Sequence, residues 1–373
     1  MKILIECLWP IEAGSVFSYG MAKGLKENGQ DVFCILTEDV ENKSQWVETF
    51  GLSNLFFLQT LPQKSSPVTS GIRFLSGCLS LKRKFGHITF DFAVSTFPNT
   101  YELLILNFVR CRKKISICHD PVPHSNMDEK ARSRFVKRMR QFDDFIVMTR
   151  AFIPILKENY RISDNHIFYM RHGLMEYRHT REKEPSADPQ KGINFLFFGR
   201  ILEYKGLHLL AGSYRLVSDQ YKNVSLTVAG NGDFDLYRDE YQSLPNVRVV
   251  NRYIENDEIE KFFDTGNTVV VLPYLDSTQS GVIPVAFDFC VPVIASDTAG
   301  LSEQLFDGTY GILFENGNRS ALAEAMLEFL RSPEKYESES KKMQAGRQAL
   351  EWRNVIWELL DQFGQQNTAG TPQ

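Results

Sequence analysis

The chain has 373 residues, 43% hydrophobic and 24% charged, which is enough apolar material for two domains and excludes a disordered polymer. A formal net charge of −4 excludes nucleic-acid binding by bulk charge. The charge is uneven: net +6 over residues 1–180 and −10 over the remainder, so one half is suited to an anionic surface or ligand. Six cysteines are scattered without CxxC or Cys/His spacing, so reduced, buried thiols are expected and no metal site. No run approaches the roughly 18 apolar residues of a membrane span, and the first residues read as a strand rather than a signal peptide. A cytoplasmic protein is expected.

In chain order, KILIECL reads as a buried strand. Val16, Tyr19, Met21 and Leu25 follow roughly on one helical face, Gly29 stops that helix, and DVFCIL is the next strand. Gly14 and Ser15 lie in a small-residue turn at the helix start. It lacks a full G-x-G-x-x-G, so close helix–strand packing explains it as well as a ligand does. NLFFLQ, FDFAVST, KISICHD and DDFIVMT are further strands, with helices YELLILNFVRC and DEKARSRFVKRMRQF among the connections and LPQKSSPVTSG as a loop. The alternation predicts a parallel sheet covered on both faces. The polar, proline-containing stretch 176–192 predicts a boundary between domains 1–175 and 176–349, with a helix over about 350–365 returning to the first. NFLFFGRIL, VSLTVAG, VRVVNRY, NTVVVLP, VPVIAS and GILF then supply a second set of strands. The expected fold class is α/β, with two Rossmann-like domains facing across a cleft.

Three constellations sit at predicted strand ends. Gly199 and Arg200 close one strand, and Lys205 stands five residues beyond Arg200, near a helix start. A forked guanidinium and a point charge suit a diphosphate, although two surface cations in a solvated loop give the same pattern. Gly230-Asn231-Gly232 permits close backbone approach to a ligand or makes a turn. Tyr274–Gly300 reads as a strand end, the small polar turn Asp276-Ser277-Thr278-Gln279-Ser280-Gly281, a helix and a second strand. Such a turn offers backbone N–H groups to an anion, or is a plain capped loop.

Taken in order, FGRILEYKGLHLL, VAGNGDFDLY, LPYLDSTQSGVIPVAFDFCVPVIASDTAGLSEQL and GILFENGNRSALAEAM resemble the carboxyl-terminal domain of glycosyltransferase family 4, retaining enzymes of GT-B architecture. The first domain matches more loosely, in the turn at Gly14, SICHDPVPHS and RHG at 171–173. The resemblance implies that Arg200 and Lys205 grip the donor's diphosphate. It implies that Thr278, Gln279, Ser280, Gly281 and Val282 meet phosphate and sugar, that Gly199 and Gly232 line the nucleotide, and that Arg252, Tyr253 and Ile254 flank the base. Glu303 would contact the donor or cap a helix. His119 would point toward the donor sugar, with Asp120 orienting its loop, Gly14 and Ser15 nearby, and His124 a weaker candidate.

One departure concerns an acidic pair that many members carry around the turn. Ser277 and Val285 stand in its place, as in a subgroup with a T-Q-S-G turn, and Asp276 is a possible substitute for the first acid. The resemblance implies a metal-independent retaining transferase without a cofactor, its donor a nucleotide-sugar (UDP-sugar before GDP-sugar) and its acceptor a glycan or a polyprenyl-diphosphate-linked glycan. The basic segment at 130–140, with Phe135, Met139 and Phe142 as apolar spots, suits an anionic membrane surface, as a peripheral protein on the inner face, or is a solvated helix face. A non-catalytic GT-B-like scaffold and a sugar-nucleotide epimerase are the alternatives.

Overall fold

The computed structural model describes residues 1–8, 13–59, 67–98, 100–119, 121, 136–177 and 192–369. Asp120, His124, residues 60–66 of the expected loop and residues 130–135 of the basic segment lie outside the described residues; the rest of that loop, from Pro67, is instead the start of a helix. The chain divides into two compact units, Met1–Gly173 with Glu351–Gln373, and Leu174–Leu350.

The first unit holds seven parallel strands, β1 (Lys2–Cys7), β2 (Asp31–Thr37), β3 (Leu55–Leu58), β4 (Thr89–Ser95), β5 (Arg110–Cys118), β6 (Asp144–Val147) and β7 (Ile167–Tyr169). Their order is β3-β2-β1-β4-β5-β6-β7. The chain runs to one side of β1 and returns on the other, so β1 and β4 flank the point where the winding reverses. The connecting helices are α1 (Ala13–Glu27), α2 (Lys43–Asn54), α3 (Pro67–Phe85), α4 (Thr100–Ile105) and α5 (Phe152–Tyr160). β1 is buried from Ile3 through Cys7, Glu6 included, because helices cover both faces of a parallel sheet, which is why it reads as an apolar run broken only by Glu6. All four residues of β6 are buried, Asp144 included. Its carboxylate is held by Lys113 Nζ and His166 Nδ1, each at 2.7 Å, as a buried charge requires.

Two sequence expectations change here. The helix read through YELLILNFVRC ends at Ile105 and a 3-10 turn at Leu106–Phe108. Arg110 and Cys111 already belong to β5, paired with Thr89 and Phe90 of β4. The short strand β7 gives too little alternation to be seen in sequence. A third correction concerns the basic segment. Met139 and Phe142, read as apolar spots on a membrane-facing helix, are 3% and 7% exposed and belong to a core cluster with Phe145, Phe152 and Leu156.

The second unit holds β8 (Ile193–Phe198), β9 (Val224–Ala229), β10 (Val247–Val250), β11 (Thr268–Leu272), β12 (Val293–Ser296) and β13 (Ile312–Phe314), all parallel, in the order β10-β9-β8-β11-β12-β13. Here the reversal falls between β8 and β11. Its helices are α6 (Leu207–Gln220), α7 (Arg238–Gln242), α8 (Glu260–Phe263), α9 (Val282–Phe289), α10 (Ala299–Gln304), α11 (Arg319–Arg331) and α12 (Pro333–Arg347). α9 is buried along its whole length, including Asp288. That carboxylate accepts the Tyr177 amide at 2.9 Å and Arg347 Nη2 at 3.2 Å, which fastens α9 to the segment after Gly173 and to α12.

The last helix, α13 (Trp352–Ala369), belongs to the first unit. Gln362 pairs with edge strand β7, donating to the Tyr169 carbonyl at 2.8 Å and accepting the Tyr169 amide at 3.0 Å, so the sheet edge is closed. Phe363 stacks on Phe92 at 5.1 Å and meets Phe168 edge-on at 4.3 Å. α1 meets α13 so closely that a Cβ at Gly20 would lie 2.0 Å from Trp352 Nε1. Gly20→Val is therefore expected to lower stability by about 1–3 kcal/mol in urea unfolding, while Gly364→Ala, with open space around it, does not.

Candidate functional site

The candidate site of the second unit lies at the carboxyl ends of β8 and β11, the reversal point where open α/β sheets bind ligands. Gly199 ends β8 with φ +113°, and a Cβ there would lie 3.2 Å from Lys205 Nζ and 3.7 Å from Val282 at the start of α9. Lys205 occupies a 3-10 turn, Glu203–Lys205, and is only 9% exposed. Its ammonium stands 4.9 Å from the centroid of the Tyr274 ring, and among the described residues it forms no ion pair. The structure thus brings Gly199, Lys205, Tyr274 and the start of α9 together. Arg200 is exposed at the same strand end.

The turn behaves differently from the sequence expectation in one respect. Ser280 was read as a backbone donor to phosphate. Its amide instead donates to Gln304 Oε1 at 2.7 Å, and its carbonyl accepts Gln304 Nε2 at 3.1 Å. The amide side chain of α10 thus pairs with Ser280 as a neighbouring strand would. The Ser280 hydroxyl lies 3.3 Å from the Val282 amide, which it accepts, and 3.4 Å from Tyr274 Oη. Ser277 donates to the Gln279 carbonyl at 3.1 Å, so it acts within the turn. Thr278 rests on α10, where a Cβ at Gly300 would meet its carbonyl at 2.0 Å. Asp276 and Gly281 are exposed, whereas Gln279 and Glu303 are half-buried. Gln304 escaped the sequence reading because nothing in an amide side chain shows which backbone it will bond.

Gly232 forms a bridge with Ile201 and adopts φ +151°. Tyr253 and Ile254 follow edge strand β10, separated from β8 by β9, with Ile254 buried. The Arg252 guanidinium is engaged by both oxygens of Glu258, each at 2.7 Å. These bonds hold the Glu258 carboxyl down to about 2.

In the first unit, Gly14 and Ser15 lie in the first turn of α1 and are buried. Ser18 Oγ donates to the Gly14 carbonyl at 2.8 Å and bonds Thr96 Oγ1 at 2.8 Å, so this turn is fixed to the ends of β1 and β4. His119 follows β5. Its ring stacks on Phe97 at 4.2 Å and meets Phe17 edge-on at 5.3 Å. Because a carbonyl only accepts, the 2.7 Å contact with Thr96 O places the hydrogen of His119 on Nε2. Phe17 also touches His172 and Trp352, both at 5.1 Å. Burial among these rings pushes both imidazoles down to about 4, against the opposing pull of the Thr96 and Gly173 carbonyls, and His172 depresses His119 further. Both are neutral at pH 7. The described cavity lined by Met139, Arg140, Tyr160, Arg161 and His166 lies at the amino ends of β6 and β7, away from His119.

Two parallel sheets with helices on both sides, each reversing direction at its centre, define the GT-B class of fold. The Anabaena protein HepE in complex with UDP and glucose has a similar fold, with a TM-score of 0.70 and 15% identity, over 99% of this chain and 100% of that one. Residues 192–332, most of the second unit, match the family described as glycosyl transferases group 1, in agreement with the resemblance read from the sequence. The capsular polysaccharide biosynthesis glycosyltransferase CapM of Staphylococcus aureus is 28% identical over 173 residues, 44% of each chain. The phosphatidyl-myo-inositol mannosyltransferase of Mycobacterium leprae (strain TN) is 27% identical over 192 residues, 49% of each chain. The chain spans less than half the length of these curated relatives.

Two outcomes are expected. Gln304→Leu removes both bonds to Ser280 and strands a buried amide, so stability should fall by about 1–3 kcal/mol in chemical denaturation. The depressed imidazoles contribute stability that is complete above the unfolded histidine value near 6.5 and is lost as pH falls toward about 4. A His119→Phe, His172→Phe double variant should show a flatter stability profile across that window.

Proposed function

We propose that the protein is a retaining glycosyltransferase that moves a sugar from a nucleotide-diphosphate sugar to a glycan or a lipid-linked glycan, at the inner face of a membrane. The single observation that carries this reading is Lys205: a largely buried cation, without an ion-pair partner among the described residues, at the reversal point of the second sheet. A charge held out of water calls for a counterion, and a diphosphate supplies one. Arg200 at the same strand end adds a forked donor for a second set of phosphate oxygens.

In this reading the diphosphate is both anchor and leaving group. As the bond from the anomeric carbon to the phosphate oxygen lengthens, negative charge grows on the diphosphate, and fixed cations stabilise that charge more than the ground state. Tyr274 holds Lys205 through its ring face and the Ser280 hydroxyl through its phenol, so cation and turn are set by one side chain. No metal is needed for this step in the proposal. The acids absent at Ser277 and Val285 leave the sugar hydroxyls to other groups, among them Gln279, Asp276 and Glu303. UDP is the proposed nucleotide, on the strength of the fold neighbour solved with it.

Isothermal titration checks the reading. UDP should bind, and Lys205→Ala or Arg200→Ala should weaken it by about tenfold or more, the size of a charge-assisted hydrogen bond, while the melting temperature without ligand stays close to that of the parent. Unchanged UDP affinity in Lys205→Ala would refute the site.

A further inference from the structure

Helix α3 is apolar on two opposite sides. Phe74, Cys78, Leu81 and Phe85 face the core of the first unit. On the other side, Ile72, Leu75 and Leu79 are 65%, 54% and 47% exposed. Their i, i+3, i+7 spacing aligns them in one stripe, and Arg83 continues it one turn further. Lys82 and Arg73 flank the stripe, and both are exposed. The helix PVTSGIRFLSGCLSLKRKF carries no Asp or Glu. Lys84 turns away and donates to the Leu52 and Leu55 carbonyls at 2.7 and 2.6 Å, so it helps tie the helix end to the unit instead of joining the outer face.

We propose that this outer face of α3 is a docking surface for an anionic lipid leaflet. Three aliphatic side chains spaced along one face of a surface helix can enter the boundary between headgroups and acyl chains, while the cations beside them meet lipid phosphates. The charge pattern selects this occupant. A second copy laid on the same stripe would set Arg73, Lys82 and Arg83 against their own equivalents. An anionic surface instead neutralises all three, each contributing through the leaflet's negative potential. The net +6 of residues 1–180 acts in the same direction at longer range. The basic residues at 137–140 lack this combination, since Met139 is in the core. The inference rests on the membrane-side role proposed above: serine variants that pellet as the parent does sink this surface alone, whereas a parent that does not pellet sinks that role as well, and neither outcome touches the donor site.

The test is co-sedimentation of the full chain with vesicles of phosphatidylglycerol and phosphatidylcholine, compared with phosphatidylcholine alone. The parent should pellet with the anionic vesicles and lose this at high salt. Ile72→Ser, Leu75→Ser, Leu79→Ser combined, and separately Lys82→Glu with Arg83→Glu, should each reduce the bound fraction at least tenfold with unchanged thermal melting, because all five side chains are exposed. Lys137→Glu with Arg140→Glu should leave binding in place. The proposal is overturned if the parent does not pellet, if the serine variant pellets as the parent does, if only the 137/140 variant loses binding, or if the serine variant instead abolishes a dimer seen by analytical ultracentrifugation without affecting vesicle binding.

Discussion

The second unit depends on backbone packed against backbone at the carboxyl ends of its central strands. A Cβ at Gly230 would lie 2.0 Å from the Gly199 carbonyl, one at Gly232 2.3 Å from the Ile201 carbonyl, and one at Gly206 1.9 Å from the Pro273 carbonyl. At such approaches no side chain fits, and the positive φ values at these glycines exclude most other residues independently. The consequence is that the loop after β8 is pressed onto the loops after β9 and β11, with the Leu275 amide donating to the Tyr204 carbonyl at 2.7 Å. In that position Lys205 is only 9% exposed. Its ammonium is kept over the Tyr274 ring, where an aromatic face offsets part of the lost hydration without neutralising the charge. The phosphate affinity proposed for this edge is thus a consequence of chain packing.

The turn between β11 and α9 is stiffened from a different direction. Gln304 treats Ser280 as a strand residue, bonding both its amide and its carbonyl, and Gly300 lets α10 close on Thr278. This uses one of the amides that a phosphate would otherwise have found. The proposed anion site would therefore depend more on Lys205 and Arg200, and on the start of α9, than on free amides of the turn.

Most of the strands and the carboxyl ends of the central ones were legible because buried parallel strands leave mainly apolar runs and because glycines mark the chain's tight corners; β7 and helix α3 were not. Gly199, Lys205 and the turn before α9 were legible as one edge for the same reason: residues just after parallel strands share an edge whatever their side chains do. Side-chain direction was less legible. Met139 and Phe142 lie beside cations and look like a lipid-facing stripe, yet they are core residues. Ile72, Leu75 and Leu79, on a helix the sequence reading did not identify, are as apolar as core residues, yet they are exposed. A helix with apolar residues on two faces gives no periodic signal that says which face is covered. Only the neighbours decide, here Leu58, Ile105 and Leu106 beneath α3.

The two units hold different charge states near the ends of their strands. The second unit keeps a fixed cation in a partly dry setting. The first keeps two imidazoles neutral by enclosing them with Phe17, Phe97 and Trp352 and by committing His119 Nε2–H to the Thr96 carbonyl. A nitrogen whose hydrogen is already donated to a backbone carbonyl is poorly placed to pass that proton to a leaving group. A neutral ring with a folded value near 4 is also a weak base at pH 7. The charge work of the proposed reaction therefore falls to Lys205 and Arg200. His119 is suited to present a polar edge with a fixed tautomer, in a nest whose aromatic rings keep it from charging.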